Sequence, residues 1–208
     1  MFKSIFFKLV LVFSVFTSLI SCSNDDENSP ESITLETKTF SNLHAPQTGG
    51  MGQPVGGVFT KFSFSQNAIV TNDSWDIAFR GTTIVVNGGS AIGITDEPTR
   101  TGNGAVSILS NTLSGVIAVP NASTFKQDGA STYAIPTGSG AGWFNYDGAT
   151  NLVTPIAGKI FVIKTHDGKY AKMEIISYYK DAPVNPNASS LSRYYTFKYV
   201  YQSSGTSF

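Results

Sequence analysis

Apolar and polar residues alternate with a period of two in several segments of the chain, which is the pattern of half-buried β-strands. Val58 to Phe64 and Trp75 to Arg80 both follow it. Thr83 to Val86 is a short apolar run closed by Asn87-Gly88-Gly89, where glycine favours a turn that needs positive φ. Two more β segments are expected, at Ala105 to Leu109 and Val116 to Val119.

The clearest predicted unit is a hairpin near the end of the chain. Two apolar runs, Lys159 to Thr165 and Lys169 to Tyr179, flank an Asp-Gly pair, which is a strong hairpin signal. Both faces of the first run are apolar, so it is predicted to be a central strand. After a loop from Asp181 to Ser192, alternation resumes from Arg193 to Gln202 and completes a three-stranded meander.

Two segments lack this pattern and are interpreted as loops. They are the glycine-rich stretch Gly49 to Gly57 and the longer stretch from about Pro120 to Gly148. Charged residues are sparse and no segment after the N-terminal run predicts a helix. We therefore expect an all-β fold of layered antiparallel sheets, such as a β-sandwich, in one domain over residues 33–208.

The N-terminal residues have the layout of a secretory signal peptide. An apolar run extends from Ile5 to Ile20, with Lys3 before it and Lys8 near its start. The run is too short to remain as a membrane-spanning helix. The run ends in Leu-Ile-Ser and then Cys22, the only cysteine of the chain. This ending resembles the lipobox of bacterial lipoproteins, so residues 1–21 are predicted to be cleaved and Cys22 to be lipidated.

Residues 22–32 are polar and acidic, with Asp25, Asp26 and Glu27 in succession. Such a segment cannot bury apolar surface and is predicted to be a solvated tether. This acidic stretch resembles the one found at the same place in lipoproteins of the Bacteroidetes type. There it marks the protein for export to the outer face of the outer membrane. A location on the cell surface is therefore expected.

Charge and cysteine content exclude some classes of function. Loss of residues 1–21 removes two lysines and no acid, leaving 12 basic against 14 acidic side chains and a net charge of −2. Nucleic acid is an improbable partner because phosphate binding needs a basic surface. A single cysteine also excludes an internal disulfide.

The chain carries no familiar catalytic motif, whether for zinc hydrolysis, a serine nucleophile or phosphate binding. Binding is therefore favoured over catalysis. His166 is interpreted as an exposed turn residue and His44 as a loop residue, so neither is predicted to be a metal ligand. Met173 is predicted to lie in the core.

Several short segments resemble the HmuY family of Bacteroidetes lipoproteins in their order and spacing. They are Trp75 to Arg80, Asn87-Gly88-Gly89, Gly142-Trp143, Asp167 to Lys172, and Ser177-Tyr178-Tyr179. The resemblance implies an all-β lipoprotein that captures haem and delivers it to an outer-membrane receptor of the TonB-dependent type. It also implies two axial side chains on the iron, histidines in the founding member and methionines in some relatives.

The chain departs from that family at the expected ligand positions. Neither Phe144 to Ala149 nor Asn111 to Gly142 contains a histidine or methionine. Other residues are therefore candidates for holding haem: the phenols Tyr133 and Tyr146, Met51 on the glycine-rich loop, and Trp143 as a stacking surface. The alternative is that the aromatic loop binds a glycan, a peptide or a partner protein, with Trp143 and Tyr146 forming an exposed platform.

Overall fold

The computed structural model describes residues 35–208, so the predicted signal peptide, Cys22 and the tether lie outside the described residues. The described part consists of β-strands and one short 3₁₀ turn, Ala122–Thr124. The strands are β1 (Thr37–His44), β2 (Thr48–Gly50), β3 (Gln53–Gly56), β4 (Thr60–Ser63), β5 (Ala68–Val70), β6 (Ile77–Arg80), β7 (Thr83–Val86), β8 (Ala105–Ser110), β9 (Phe144–Asp147), β10 (Leu152–Pro155), β11 (Lys159–Lys164), β12 (Tyr170–Tyr179) and β13 (Ser192–Gln202). The expectation of an all-β fold is confirmed.

A five-stranded antiparallel sheet contains the predicted meander. Its strand order is β1-β13-β12-β11-β8, with the Asp-Gly turn joining β11 to β12. Both faces of β11 are buried, because Phe161 and Ile163 enter the main core while Ile160 and Val162 enter a second cluster on the other face. The prediction of a central strand is confirmed.

A second antiparallel sheet has the order β5-β4-β6-β7. The segment from Trp75 to Arg80 was expected to be half-buried, but every residue in it is buried. Ile77 and Phe79 face the main core, whereas Trp75 and Ala78 pack into a smaller cluster with Phe59. The expectation was wrong because loop segments cover the outer face of this short sheet.

The two sheets pack face to face around an aromatic core. Phe62 of β4 lies 5.1 Å from Phe197 of β13, and Phe79 of β6 lies 4.8 Å from Tyr195, measured between ring centres. Met173 is fully buried in this core, as predicted. The layered sandwich is therefore held by apolar contact between strands that are distant in sequence.

Irregular chain covers the outer face of the five-stranded sheet. Val116 packs there on Ile160 and Val162, and Phe125 and Phe208 lie at the edge of the same cluster. The segment from Val116 to Val119 was predicted to be a strand, but its β pairing is limited to a single bridge from Ala118 to Ser207. It serves as a cover for the sheet.

Both predicted loop regions contain short hairpins that the sequence pattern missed. β2 and β3 pair across the glycine-rich stretch, beginning at Thr48, and β9, at the end of the second predicted loop, pairs with β10 beyond it. Neither hairpin has the alternating apolar residues of a half-buried strand, since most of their side chains are exposed.

Candidate functional site

A cleft of about 360 Å³ opens beside Tyr133 at the edge of the four-stranded sheet. Its lining combines one phenol, one guanidinium and small apolar and polar groups. The lining residues are Pro54, Val55, Arg80, Thr83, Gly93, Ile94, Thr95, Tyr133 and Thr137. The volume lies within the usual range of small-molecule pockets.

Arg80 supplies the positive charge of this cleft. It comes from β6, where only 3% of its surface is exposed, and its guanidinium lies 4.4 Å from the ring centre of Phe59. One terminal nitrogen donates to the carbonyl oxygens of Gly57 and Thr95, while Nε has no hydrogen-bond partner among the described residues. Burial lowers the pKa of Arg80, and nearby acidic groups, including Tyr133, oppose that shift.

The buried carboxylate of Asp128 holds Ala134, the residue after Tyr133, and so fixes the position of Tyr133. Asp128 accepts the backbone N–H of Ala134 at 2.8 Å and that of Val86, at the end of β7, at 2.9 Å. Arg100 donates to the same carboxylate at 3.1 Å. Burial raises the pKa of Asp128, although these hydrogen bonds and Arg100 act in the opposite direction.

A second acid fixes the segment that contributes Gly93 and Ile94 to the cleft. Glu97 accepts the backbone N–H groups of Ile92 and Gly93 at 3.0 and 2.8 Å, and it pairs with Arg100 at 2.7 Å. Burial of Glu97 alone would raise its pKa, but these donors outweigh it and lower the pKa. Arg100 therefore connects the segment that carries Tyr133 to the segment that carries Gly93. This connection indicates a preformed site.

Met51 stands at the tip of the β2–β3 hairpin and is fully exposed. Pro54 and Val55 of the same hairpin line the cleft. Gly49 has φ of +67°, and a Cβ atom there would meet the carbonyl oxygen of Pro54 at 1.9 Å. The hairpin thus needs glycine at this position to close against its own second strand.

Tyr146 lies on β9 and does not line the cleft. Its backbone N–H donates to Ser139 Oγ at 2.8 Å, and its hydroxyl donates to Asn151 Oδ1 at 2.6 Å. Thr137 lines the cleft, only two residues before Ser139, a span of at most about 7 Å. The loop between Tyr133 and Trp143 therefore connects the cleft to the β9–β10 hairpin.

Trp143 is a core residue and not part of an exposed platform. Its surface is 1% exposed, and its indole Nε1 donates to the carbonyl oxygen of Thr82 at 2.8 Å. The ring packs against Tyr178 and Tyr195 at 5.5 and 5.0 Å between centres. The exposed platform of Trp143 and Tyr146 is therefore wrong, and so is Trp143 as a stacking surface for a ligand, because the indole meets its hydrogen-bonding and packing needs inside the sandwich.

Sequence reasoning also missed a buried contact between the sheets. Asp76 is 1% exposed, and its Oδ1 accepts both the backbone N–H and Nδ1 of His166, at 3.0 and 2.8 Å. Its Oδ2 accepts the backbone N–H of Phe64 at 2.8 Å. Burial raises the pKa of Asp76, against these hydrogen bonds. An acid in an otherwise apolar strand was the signal that could have revealed this contact.

His166 is therefore not a free turn residue, and His44, at the end of β1, stacks on Tyr194 at 4.5 Å between ring centres. Asp167 completes a group with Asp76 and His166 whose ligand atoms lie within 4.8 Å of one another. Asp167 Oδ1 accepts the hydroxyl of Thr165 at 2.6 Å. Protein hydrogen bonds thus already occupy these three side chains, which act as a structural link.

The chain belongs to the HmuY family, whose model matches residues 57–199. The matched range runs from the segment before β4 into β13 and includes Arg80, Tyr133 and Tyr146. No curated protein sequence matches the chain.

Three solved structures illustrate what this chain is similar to. A protein described as a lipoprotein from Bacteroides fragilis NCTC 9343 has 14% identity and a TM-score of 0.48, covering 84% of this chain and 93% of its own. A protein described as HmuY_like and heme binding, from Bacteroides vulgatus ATCC 8482, has 17% identity and a TM-score of 0.45, with coverage of 82% and 93%. The Apo HmuY analog of Tannerella forsythia has 14% identity and a TM-score of 0.47, with coverage of 82% and 97%.

Proposed function

We propose that this protein binds haem in the cleft beside Tyr133. The observation that carries the proposal is the presence of a phenol and a buried guanidinium in one preformed cleft. Tyrosine is an established axial ligand of haem iron, and a fixed cation complements either its phenolate or a propionate carboxylate. Membership of the HmuY family supports haem over other flat ligands and supports binding over catalysis.

The donor chemistry of the cleft fits haem through one protein ligand. Tyr133 would supply an oxygen to the iron, Arg80 would face a propionate, and Val55 and Ile94 would contact the apolar ring edge. None of the described lining residues is a histidine or methionine. A single tyrosine suffices for haem in some proteins, so the missing family ligands do not exclude binding.

A second ligand, if one is used, would come from outside the present lining. Tyr146 is 48% exposed on the β9–β10 hairpin, and Met51 is fully exposed at the tip of the hairpin that walls the cleft. Thioether sulfur is an axial ligand in other haem proteins. Met51 and Tyr146 are therefore the candidates for the second position.

We further propose that the protein is an outer-membrane lipoprotein on the cell surface, anchored through Cys22 and the acidic tether. In this role it would deliver haem to a TonB-dependent outer-membrane receptor for iron acquisition. Among residues 35–208, no helix is long and apolar enough to cross a membrane.

A haemin titration of the chain from Ser23 to Phe208 tests the proposal. We expect a saturating one-to-one shift of the Soret band, weakened at least about tenfold in Tyr133→Phe by loss of the iron ligand. Tyr194→Phe, on β13 of the other sheet, is the matched control and keeps the wild-type affinity. A spectrum equal to the sum of the spectra of free haemin and free protein would contradict the haem proposal. It would favour a glycan, peptide or protein ligand.

A further inference from the structure

A second cleft in the described structure lies on the other sheet and serves no role in the proposed haem site. It encloses about 450 Å³ at one end of the five-stranded sheet. Three of its residues are cross-strand neighbours on one face: Ala105 of β8, Lys164 of β11 and Tyr170 of β12. Because Ala105 is small, it leaves space beside the side chains of Lys164 and Tyr170.

One side of this cleft is apolar, while polar side chains make up about half of the lining. Val119, Pro120 and Ala122 come from the irregular segment that covers the sheet, and Phe125 closes one side with its ring centre 6.0 Å from that of Tyr170. The Phe125 ring and Pro120 limit the width of the cleft but leave it open. This side is suited to the apolar body of a small molecule.

The only charged side chain in the described lining of this cleft is a lysine. Lys164 is half-buried, and neither its ammonium nor the Tyr170 hydroxyl has a hydrogen-bond or ion-pair partner among the described residues. The amide nitrogen of Gln127 is already bound to the carbonyl oxygen of Gly104 at 3.0 Å. None of the described lining residues is acidic.

Lys172 lies two residues after Tyr170 on the same face of β12. Its ammonium, unlike that of Lys164, has hydrogen-bonding and aromatic partners within the described part of the chain. Its ammonium donates to the carbonyl oxygen of Val116 at 2.8 Å and lies 5.2 Å from the ring centre of Phe208. Lys164 lacks such a partner among the described residues. An anion entering the cleft would supply it.

We propose that this cleft binds a small organic carboxylate with an apolar body. The carboxylate receives charge-assisted hydrogen bonds from Lys164 and Tyr170, and its apolar body packs between Phe125 and Pro120. The site is separate from the Tyr133 cleft and does not depend on haem.

The test compares two probes with the same naphthalene body, 2-naphthoate with its carboxylate and 2-naphthalenemethanol with a neutral hydroxymethyl group, by calorimetric titration. The chain from Ser23 to Phe208 is used, which retains the whole compact unit Thr34–Phe208. We expect one-to-one binding of 2-naphthoate about tenfold tighter than that of the alcohol, because its hydrogen bonds involve a charged partner. Lys164→Gln abolishes the difference, whereas Lys169→Gln, an exposed neighbour of equal charge, preserves it.

Two further variants keep the outcome interpretable. Ala122→Trp changes an exposed lining residue and weakens both probes by blocking the cleft, without altering the core. Tyr133→Phe leaves 2-naphthoate binding unchanged, so failure of the haem proposal would not affect this result. Equal affinity for the two probes, no saturation at millimolar concentration, or full 2-naphthoate binding by Lys164→Gln or Ala122→Trp would each overturn the proposal.

Discussion

Asp76 shows how one side chain connects both sheets. Its carboxylate receives Phe64 from the four-stranded sheet and His166 from the turn between β11 and β12. The sequence marked this residue only as the polar neighbour of Trp75, since spacing does not reveal a partner that lies ninety residues away. Tyr133 was selected as a candidate from its chemistry, but its position in one cleft with Arg80 required the fold.

We predict that Asp76→Asn lowers the free energy of unfolding by about 2 kcal/mol, because an amide nitrogen would face N–H donors where the carboxylate accepts them. Urea unfolding at neutral pH measures the change. Asp73→Asn is the matched control, since Asp73 is 69% exposed and its nearest cation, Lys61, lies 3.9 Å away. Equal stability of the two variants would contradict the structural role of Asp76.

Lys172 makes a prediction about pH. Burial lowers its pKa in the folded protein, so the folded state disfavours the charged form more than the unfolded chain does. The stability of the wild type relative to Lys172→Met should therefore rise as pH increases toward the unfolded lysine pKa. Urea unfolding at neutral and alkaline pH tests this, with Lys169→Met controlling for loss of a lysine charge. A constant or falling difference would show that the ammonium is not desolvated.

Among the elements, the long strands were predictable and the short hairpins were not. β11 is a continuous apolar run because both of its faces are buried, whereas β12 and β13 alternate, and an Asp-Gly turn joins β11 to β12. The β9–β10 hairpin lacks that signal because it is held by individual contacts. One of them is the hydrogen bond from the backbone N–H of Val153 to the Tyr179 hydroxyl at 2.9 Å.

We predict that Tyr179→Phe loosens this hairpin with a loss of about 1 kcal/mol, the usual net worth of one hydrogen bond. Hydrogen exchange of the Val153 amide should become faster, while exchange in β11 stays the same. Tyr178→Phe is the control, because its ring lies in the same aromatic cluster. Unchanged protection of Val153 in Tyr179→Phe would show that the hydroxyl does not hold the hairpin.

For the whole molecule, the sequence predicted the layered β architecture from the alternation and the scarcity of charge. It did not predict which aromatic residues of the loops are buried, because glycine-rich segments place no side chain by period. Trp143 illustrates the point: Gly142 passes so close to Pro136 that a Cβ atom would lie 2.0 Å from its carbonyl oxygen. That close approach brings the indole into the core.

The buried tyrosines predict how the molecule responds to alkali. Burial raises the pKa of Tyr178 and Tyr199 to about 12, and that of Tyr195 well above its ordinary value. The folded state therefore favours the neutral phenols, and their contribution to stability is lost as pH rises from about 10 toward the folded values. Denaturant unfolding across this range should show a steep loss of stability, which Tyr178→Phe makes shallower. An identical slope in that variant would contradict burial of its hydroxyl.

The measurement that tests the central claim most directly is resonance Raman spectroscopy of the ferric haem complex. The account predicts an iron–phenolate vibration in the wild type that disappears in Tyr133→Phe and persists in Tyr146→Phe and Met51→Ala. A complex without that vibration, or one that keeps it in Tyr133→Phe, would contradict haem binding through the Tyr133 cleft.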